Sequence, residues 1–212
     1  KSKFKNNYVR ALCFQLFENN GVMKREMVHQ MIKNISKEDR LSLKKAGVKI
    51  GRYHIFLPKM LKPNAVNLRV KLWKLYFSED KKYIIPKSGL NFLKDESKKN
   101  NKFLLICGFE NFGEFYIRVD ILERLFVKII ESTKNNVFKI DSDMINLIGC
   151  SKENFLKLLE LMQYKSKNTG NNEKKEEFFT YKPKFIKNKI DKNNKKFSKN
   201  NPFDKLSELR FR

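Results

Sequence analysis

Cys150 follows Gly149 and precedes a helix-like run, a placement in which a helix dipole can lower a thiol's pKa and make a nucleophile. Such a nucleophile needs a base, and no candidate base stands beside it in the sequence, so an inert thiol is expected. The two histidines, His29 and His54, have no neighbour at zinc-ligand spacing, and there is no CxxC pair. His54 alternates with Tyr53 and Ile55 as in a strand, where a satisfied structural role is expected rather than that of a base. His29 is expected at the solvent or at a helix-packing edge. Asp120 and Glu123 share one predicted helix with Arg118 and Arg124, which predicts ion pairs on a helix surface rather than an acid–base couple. No GxxxxGK[ST] loop occurs, and the glycines are too scattered to cradle a phosphate. The chain is therefore expected to be no enzyme as it stands, with no cofactor and no metal.

The positive signal is basic residues interleaved with aromatics. Lys49, Arg52 and Lys59 flank Tyr53 and Phe56, and Lys62, Arg69, Lys71 and Lys74 follow on the next predicted helix. Cations beside an exposed ring offer phosphate contacts plus a stacking surface, the chemistry that single-stranded or structured RNA requires. Trp73 could stack on a base too, but on an amphipathic helix it is expected in the core. A second basic set, Lys182, Lys184, Lys187, Lys189, Lys195 and Lys196, lies near the C-terminus. The charge map agrees with both. Of the net +24, residues 1–77 carry +14 (18 basic, 4 acidic), residues 78–181 are nearly balanced (18 and 16), and residues 182–212 carry +8 (11 and 3). Lys, Asn, Ile and Phe all have AT-rich codons, so part of the excess is open to compositional drift. Drift does not account for two basic ends around a neutral middle, whereas a polyanionic partner does.

These residues need a scaffold, and the periodicity supplies one. Val9, Leu12, Cys13, Leu16 and Phe17 predict an amphipathic helix stopped by Asn19-Asn20-Gly21. Val22, Met27, Val28, Met31 and Ile32 predict a second helix. Ser36 with Asp39 predicts the start of a third, with Leu41 and Leu43 in the core and Gly47 beyond its C-terminus. Val48 to Phe56 reads as a hairpin turning at Gly51-Arg52. Three helices followed by a hairpin is the order of a winged helix. Pro63 then opens a helix to Phe77, with Val66, Val70, Trp73 and Phe77 on one face.

Residues 78–102 read as a linker loop with a possible edge strand at Ile84-Ile85-Pro86, and Phe103 to Cys107 as a buried strand ending in Gly108. A second winged-helix-like unit is expected over 103–181. Its helices begin at Asp120, at Asp141 (ended by Gly149) and after the capping Ser151, and its wing is Tyr164–Ser166 and Phe178–Tyr181. Residues 182–201, with eight Lys and five Asn, lack the apolar density to fold alone and are expected to form a disordered tail, followed by a short amphipathic motif from Pro202 to Leu209. The expected class is thus mainly α with short β-hairpins, an α+β arrangement of two winged-helix-like units in tandem over 1–77 and 103–181, plus the basic tail 182–212.

With 41% hydrophobic and 13% aromatic residues, the 212-residue chain has material for a real core. No apolar run reaches the ~18–20 residues that span a bilayer, so no membrane partner is expected. Cys13, Cys107 and Cys150 are odd in number and far apart, which points to a reducing compartment. The N-terminus has no signal-peptide core, and Lys1 in place of Met fits a trimmed chain or a fragment.

Four stretches carry a resemblance. They are Ala46-Gly47-Val48-Lys49-Ile50-Gly51 through Tyr53-His54-Ile55-Phe56-Leu57-Pro58 with Leu61-Lys62-Pro63; Arg118-Val119-Asp120-Ile121-Leu122-Glu123-Arg124-Leu125; Leu147-Ile148-Gly149-Cys150-Ser151; and Asn201-Pro202-Phe203 with Leu206. In this order they resemble the C-terminal accessory region of a DExH RNA helicase family, the bacterial relatives of the mitochondrial RNA-degradosome helicase, over most of residues 8–165. Phe112-Gly113-Glu114-Phe115 departs from it by lacking a basic, Ala-rich stretch. The resemblance implies an RNA-contacting appendage without the two motor domains, a bacterial cytoplasmic or mitochondrial-matrix location, and RNA, with helicase motor domains or ribonucleoprotein subunits, as partners. The alternative is a structural component of a ribonucleoprotein such as a bacterial or organellar ribosome, its tail threaded through rRNA.

Overall fold

One order of elements recurs three times in the computed structural model, which describes residues 4–77, 83–95, 101–168 and 177–180. The first block runs from helix α1 (Asn7–Glu18) through strand β1 (Val22–Lys24), a 3-10 turn at Arg25–Val28, helices α2 (His29–Lys33) and α3 (Lys37–Lys45), to the hairpin β2 (Lys49–Ile50) and β3 (His54–Phe56). A second 3-10 turn, Pro58–Leu61, leads to the next block: α4 (Pro63–Phe77), β4 (Phe92–Lys94), α5 (Asn101–Ile106), β5 (Phe109–Phe112) and β6 (Phe115–Arg118). The third block restores the full order, with α6 (Val119–Ser132), β7 (Val137–Lys139), α7 (Ser142–Ile148), α8 (Lys152–Leu161), β8 (Lys165–Asn168) and β9 (Glu177–Thr180). Each block folds its strands into an antiparallel three-stranded sheet with the last strand in the middle, in the orders β1-β3-β2, β4-β6-β5 and β7-β9-β8. The protein is therefore of mixed α+β class, helices with small antiparallel sheets.

Local chemistry sets the boundaries. Ser36 Oγ accepts from the Asp39 N–H at 3.1 Å and Ser151 Oγ from the Asn154 N–H at 3.3 Å, which starts α3 and α8. Asn6 Oδ1 caps α1 by accepting from the Tyr8 N–H at 2.9 Å. Gly149, at φ +77, ends α7 in the left-handed conformation that glycine tolerates best.

Each block buries its own core. Val9, Leu12, Leu16, Ile32, Leu43 and Ile55 fill the first; Val66, Val70, Phe103, Leu104 and Tyr116 the second; Leu122, Leu125, Phe155, Leu158 and Phe179 belong to the third. Strand alternation joins the last two. On β6, Tyr116 faces the second core while its neighbours Phe115 and Ile117 face the third.

Several expectations change. Val22–Lys24 is a strand pairing with β3, not the start of a helix. Phe103 to Cys107 is not a strand: Phe103–Ile106 completes helix α5, whose backbone closes locally with the Cys107 N–H on the Phe103 carbonyl at 3.0 Å. Within the segment expected as a linker, Phe92–Lys94 forms β4 against β6, and Ile84-Ile85-Pro86 is not a strand. Leu41 and Phe77 are 58% and 59% exposed, and Leu68, Leu72, Leu75 and Tyr76 also leave an apolar face of α4 in solvent. The tail expected over 182–212 and residues 169–176 of the expected wing lie outside the described residues.

Candidate nucleic-acid interface

The turn between β2 and β3 is held from two sides. From α6 of the third block, the Glu123 carboxylate accepts three backbone N–H groups: Arg52 at 2.6 Å, Tyr53 at 2.9 Å and His54 at 2.8 Å. On the other side, Arg25 Nη1 donates to the Gly51 carbonyl at 2.8 Å, and the Arg25 N–H to the Tyr53 carbonyl at 2.7 Å. Gly51 makes the approach possible, because a Cβ there would collide with the Glu123 carboxylate. Arg52 is carried outward on this fixed turn, exposed.

Behind the turn lies a buried charged cluster to which each block contributes. His54 Nε2 is 2.9 Å from Glu110 Oε2 of β5, and Lys24 Nζ of β1 is 2.7 Å from the other Glu110 oxygen. His54 Nδ1 lies 3.4 Å from Glu123 Oε1, an ion-pair distance without hydrogen-bond geometry. His54, Glu110 and Glu123 are only 3%, 8% and 4% exposed, so their charges must be matched internally. Burial favours the neutral form of all three, and the partners prevail. The hydrogen bond to Glu110 and the nearby Glu123 carboxylate raise the His54 pKa. His54 and Lys24 hold Glu110 below the usual carboxylate range, and His54 with the three backbone N–H groups does the same for Glu123. His54 is thus buried in the strand as expected, but only Nε2 is hydrogen-bonded; Nδ1 meets the Glu123 charge without a hydrogen bond. Glu123 is not the surface partner expected; only Arg118 and Asp120 pair that way, through a fork at 2.6 and 3.0 Å.

The candidate contacts fall into four groups. Lys49, Arg52, Lys59, Lys62 and Lys71 are exposed, with Lys49 Nζ 5.7 Å from the Phe56 ring centre. Lys74 is half-buried, its Nζ 5.5 Å from the centre of the Tyr83 ring. Arg69 and Tyr53 must be corrected. Arg69 is 5% exposed in the second core, where Nη1 donates to the Met60 carbonyl at 3.1 Å, and burial lowers its pKa. Tyr53 is no open stacking platform, because its ring packs on Phe126 of the third block with centres 3.8 Å apart. Trp73 packs with Tyr83 and Phe103, as a core residue should. Lys182, Lys184, Lys187, Lys189, Lys195 and Lys196 lie outside the described residues.

One arginine that sequence reasoning missed, Arg25, meets the turn that carries Arg52. Nothing in its spacing marks it, since its contact with the turn depends on β1 pairing with β3. Burial pushes the Cys107 thiol up to about 12 and the Cys150 thiol to about 11, so neither is an activated nucleophile. Among the described residues no group of three or more His, Cys, Asp or Glu could hold a metal ion. No helix among them is long and apolar enough to cross a membrane. No protein-family model matches this chain, and neither does any curated protein.

Proposed function

We propose that this chain is a non-catalytic RNA-binding module built of winged-helix units, with the first block and the connector after it as the folded contact surface. Its helix–strand–helix–helix–strand–strand order, with the hairpin as wing, supports the winged-helix assignment for the first and third blocks; the second is a shortened version. One observation carries the functional reading. Three blocks of one topology differ in charge: residues 1–57 hold 13 basic and 4 acidic residues, residues 63–118 hold 11 and 6, and residues 119–180 hold 10 of each. A fold that forms equally well at +9 and at zero does not need the charge, so the excess on the first block answers to a polyanion. RNA rather than DNA follows from the resemblance to the accessory region of RNA helicases, and the Lys-rich segment 182–212 would add a second contact.

The test is binding of a structured RNA, a single-stranded RNA and a DNA duplex of equal length by Lys49→Ser/Arg52→Ser/Lys59→Ser and by Lys134→Ser/Lys157→Ser/Lys165→Ser from the third block. The first triple variant should bind RNA much more weakly and the second about as well as the parent. With about 6–10 phosphate contacts, parent affinity should fall by roughly 10³–10⁵ between 50 and 200 mM salt. Equal losses in the two variants, a flat salt response, or a preference for the DNA duplex would refute the proposal.

A further inference from the structure

Helix α4 carries two apolar faces, one packed and one exposed. At about 100° per residue, Val66, Val70 and Trp73 fall on one side, where they pack into the second core. Leu68, Leu72 and Leu75 fall on the opposite side and are 56–77% exposed, with half-buried Ala65 in line before them. From Ala65 to Leu68, Leu72 and Leu75 the steps are three, four and three residues. That is the a and d spacing of a heptad seam, the stripe along which one helix receives another. Helix propensity favours leucine but asks for no stripe. A contiguous apolar patch left in solvent is a mark of an interaction surface.

The rim of the stripe selects its occupant. Exposed Lys71 stands at the g position beside Leu72, and exposed Lys62 precedes the helix. Residues 58–77 hold five basic residues and no acidic one. A second copy of α4 would set lysine against lysine with no carboxylate to answer, and like charges at flanking positions select against such a pairing. RNA would gain nothing from the leucines, which offer neither hydrogen-bond donors nor rings to stack on. We propose that α4 is a docking surface for an amphipathic helix of a partner protein, apolar along its seam and acidic on its flanks. The surface goes beyond RNA binding and does not rest on it: Lys71 then serves a carboxylate of the docked helix rather than a phosphate.

The probe is a fluorescent peptide of about three heptads with Leu at a and d, Glu at e and g, and Ala or Gln elsewhere; its acidic flanks keep it from pairing with itself. Its anisotropy is followed as the full chain is titrated in, and RNA binding is measured on the same preparations. Binding should be saturable and about tenfold tighter than that of a peptide with Lys at e and g. Leu72→Ala should weaken it about tenfold, the scale of one leucine buried, and Leu68→Ala/Leu72→Ala/Leu75→Ala should abolish it. Phe14→Ala, at a comparably exposed apolar residue of α1, should leave it unchanged. Lys71→Glu should narrow or reverse the preference between the two peptides. All of these positions are exposed, and circular dichroism checks that each variant folds. No saturable binding, or equal losses in Leu72→Ala and Phe14→Ala, overturns the docking surface and leaves the RNA-binding proposal standing. Equal binding of the acidic and basic peptides overturns the acidic partner. Dimerisation of the full chain in sedimentation, lost in the triple leucine variant, assigns the face to a second copy instead, and loss of RNA affinity in that variant assigns it to RNA. Peptide docking without any RNA binding upholds the surface and overturns the RNA proposal alone.

Discussion

Removal of the Glu123 carboxylate tests whether the third block holds the turn of the first. Glu123→Ala leaves three backbone N–H groups that now donate at 2.6–2.9 Å without their acceptor, and takes one of two carboxylates from the His54 imidazolium. The Arg52 N–H lies at an exposed residue and can turn to water, whereas the His54 N–H lies at a residue 3% exposed and cannot. Counting a buried ion pair broken from one side, the cost should be about 3–5 kcal/mol. Glu123→Gln keeps the shape and one acceptor oxygen but loses the charge and turns an NH2 towards the donors, so about 1–3 kcal/mol is expected. The assay is urea denaturation near pH 6 followed by far-ultraviolet circular dichroism, with the slope m compared so that a change in midpoint reads as stability. A cycle with His54→Asn should show coupling above roughly 0.5 kcal/mol, since the side chains are in contact. A Glu123→Gln cost within about 0.5 kcal/mol, the range of an ordinary surface exchange, would refute the clamp.

The same cluster predicts a pH dependence of fixed sign. The raised His54 pKa stabilises fully below the imidazole's ordinary 6.5 and is lost as pH rises through the folded value; the lowered Glu110 and Glu123 pKa values stabilise fully above the ordinary 4.5 and are lost as pH falls through theirs. Parent stability should therefore exceed that of His54→Asn most between pH 4.5 and 6.5, and a difference unchanged up to pH 9 would contradict the cluster. Gly51→Ala should destabilise by about 1–3 kcal/mol through overpacking against the Glu123 carboxylate, measured by the same urea midpoint. Cys107, 3% exposed with its thiol pushed up to about 12, should resist iodoacetamide at pH 8 in the folded chain and react once urea unfolds it.

How far the sequence speaks depends on the length over which each feature is encoded. Caps are local: Ser36, Ser151 and the left-handed Gly149 delimit α3, α8 and α7 within a few residues of chain. The turn at Gly51-Arg52 is local too. The five apolar residues from Phe103 to Cys107 are a different case, because so short a run fits a buried strand and a buried helix turn equally well. Strand β4 is three residues long and shows no alternation long enough to read, so its pairing with β6 is legible only in three dimensions. The charged cluster is least accessible of all. His54 and Glu110 are 56 residues apart and Glu123 is 69 beyond His54, so their meeting is decided by how the blocks pack. Arg69 is a different case: at i+3 from Val66 and four residues before Trp73, its spacing does place it on the buried face of α4, and only its charge makes it read as basic surface.

A buried cluster of this kind needs a reason other than stability, because apolar side chains of equal volume would often hold a core at least as well. What apolar contacts lack is direction. Lys24 and His54 grip the two oxygens of Glu110, and the backbone around Arg52 grips Glu123, so only one relative placement of β1, β3, β5 and α6 satisfies every charge. A slip of either acidic residue would leave His54 charged and unmatched in a site that excludes water. The cluster therefore acts as a register device, and what it registers is the turn that carries Arg52 beside Arg25. On the RNA-binding proposal, the neutral third block, which has no excess charge of its own, would contribute by fixing the geometry of a basic surface that lies on another block. On this account mutations at Glu123 should be felt in RNA affinity although Glu123 itself repels phosphate, and the sign of that effect separates positioning from simple electrostatics. Loss of a nearby negative charge alone would tighten binding, whereas loss of the turn's geometry would weaken it.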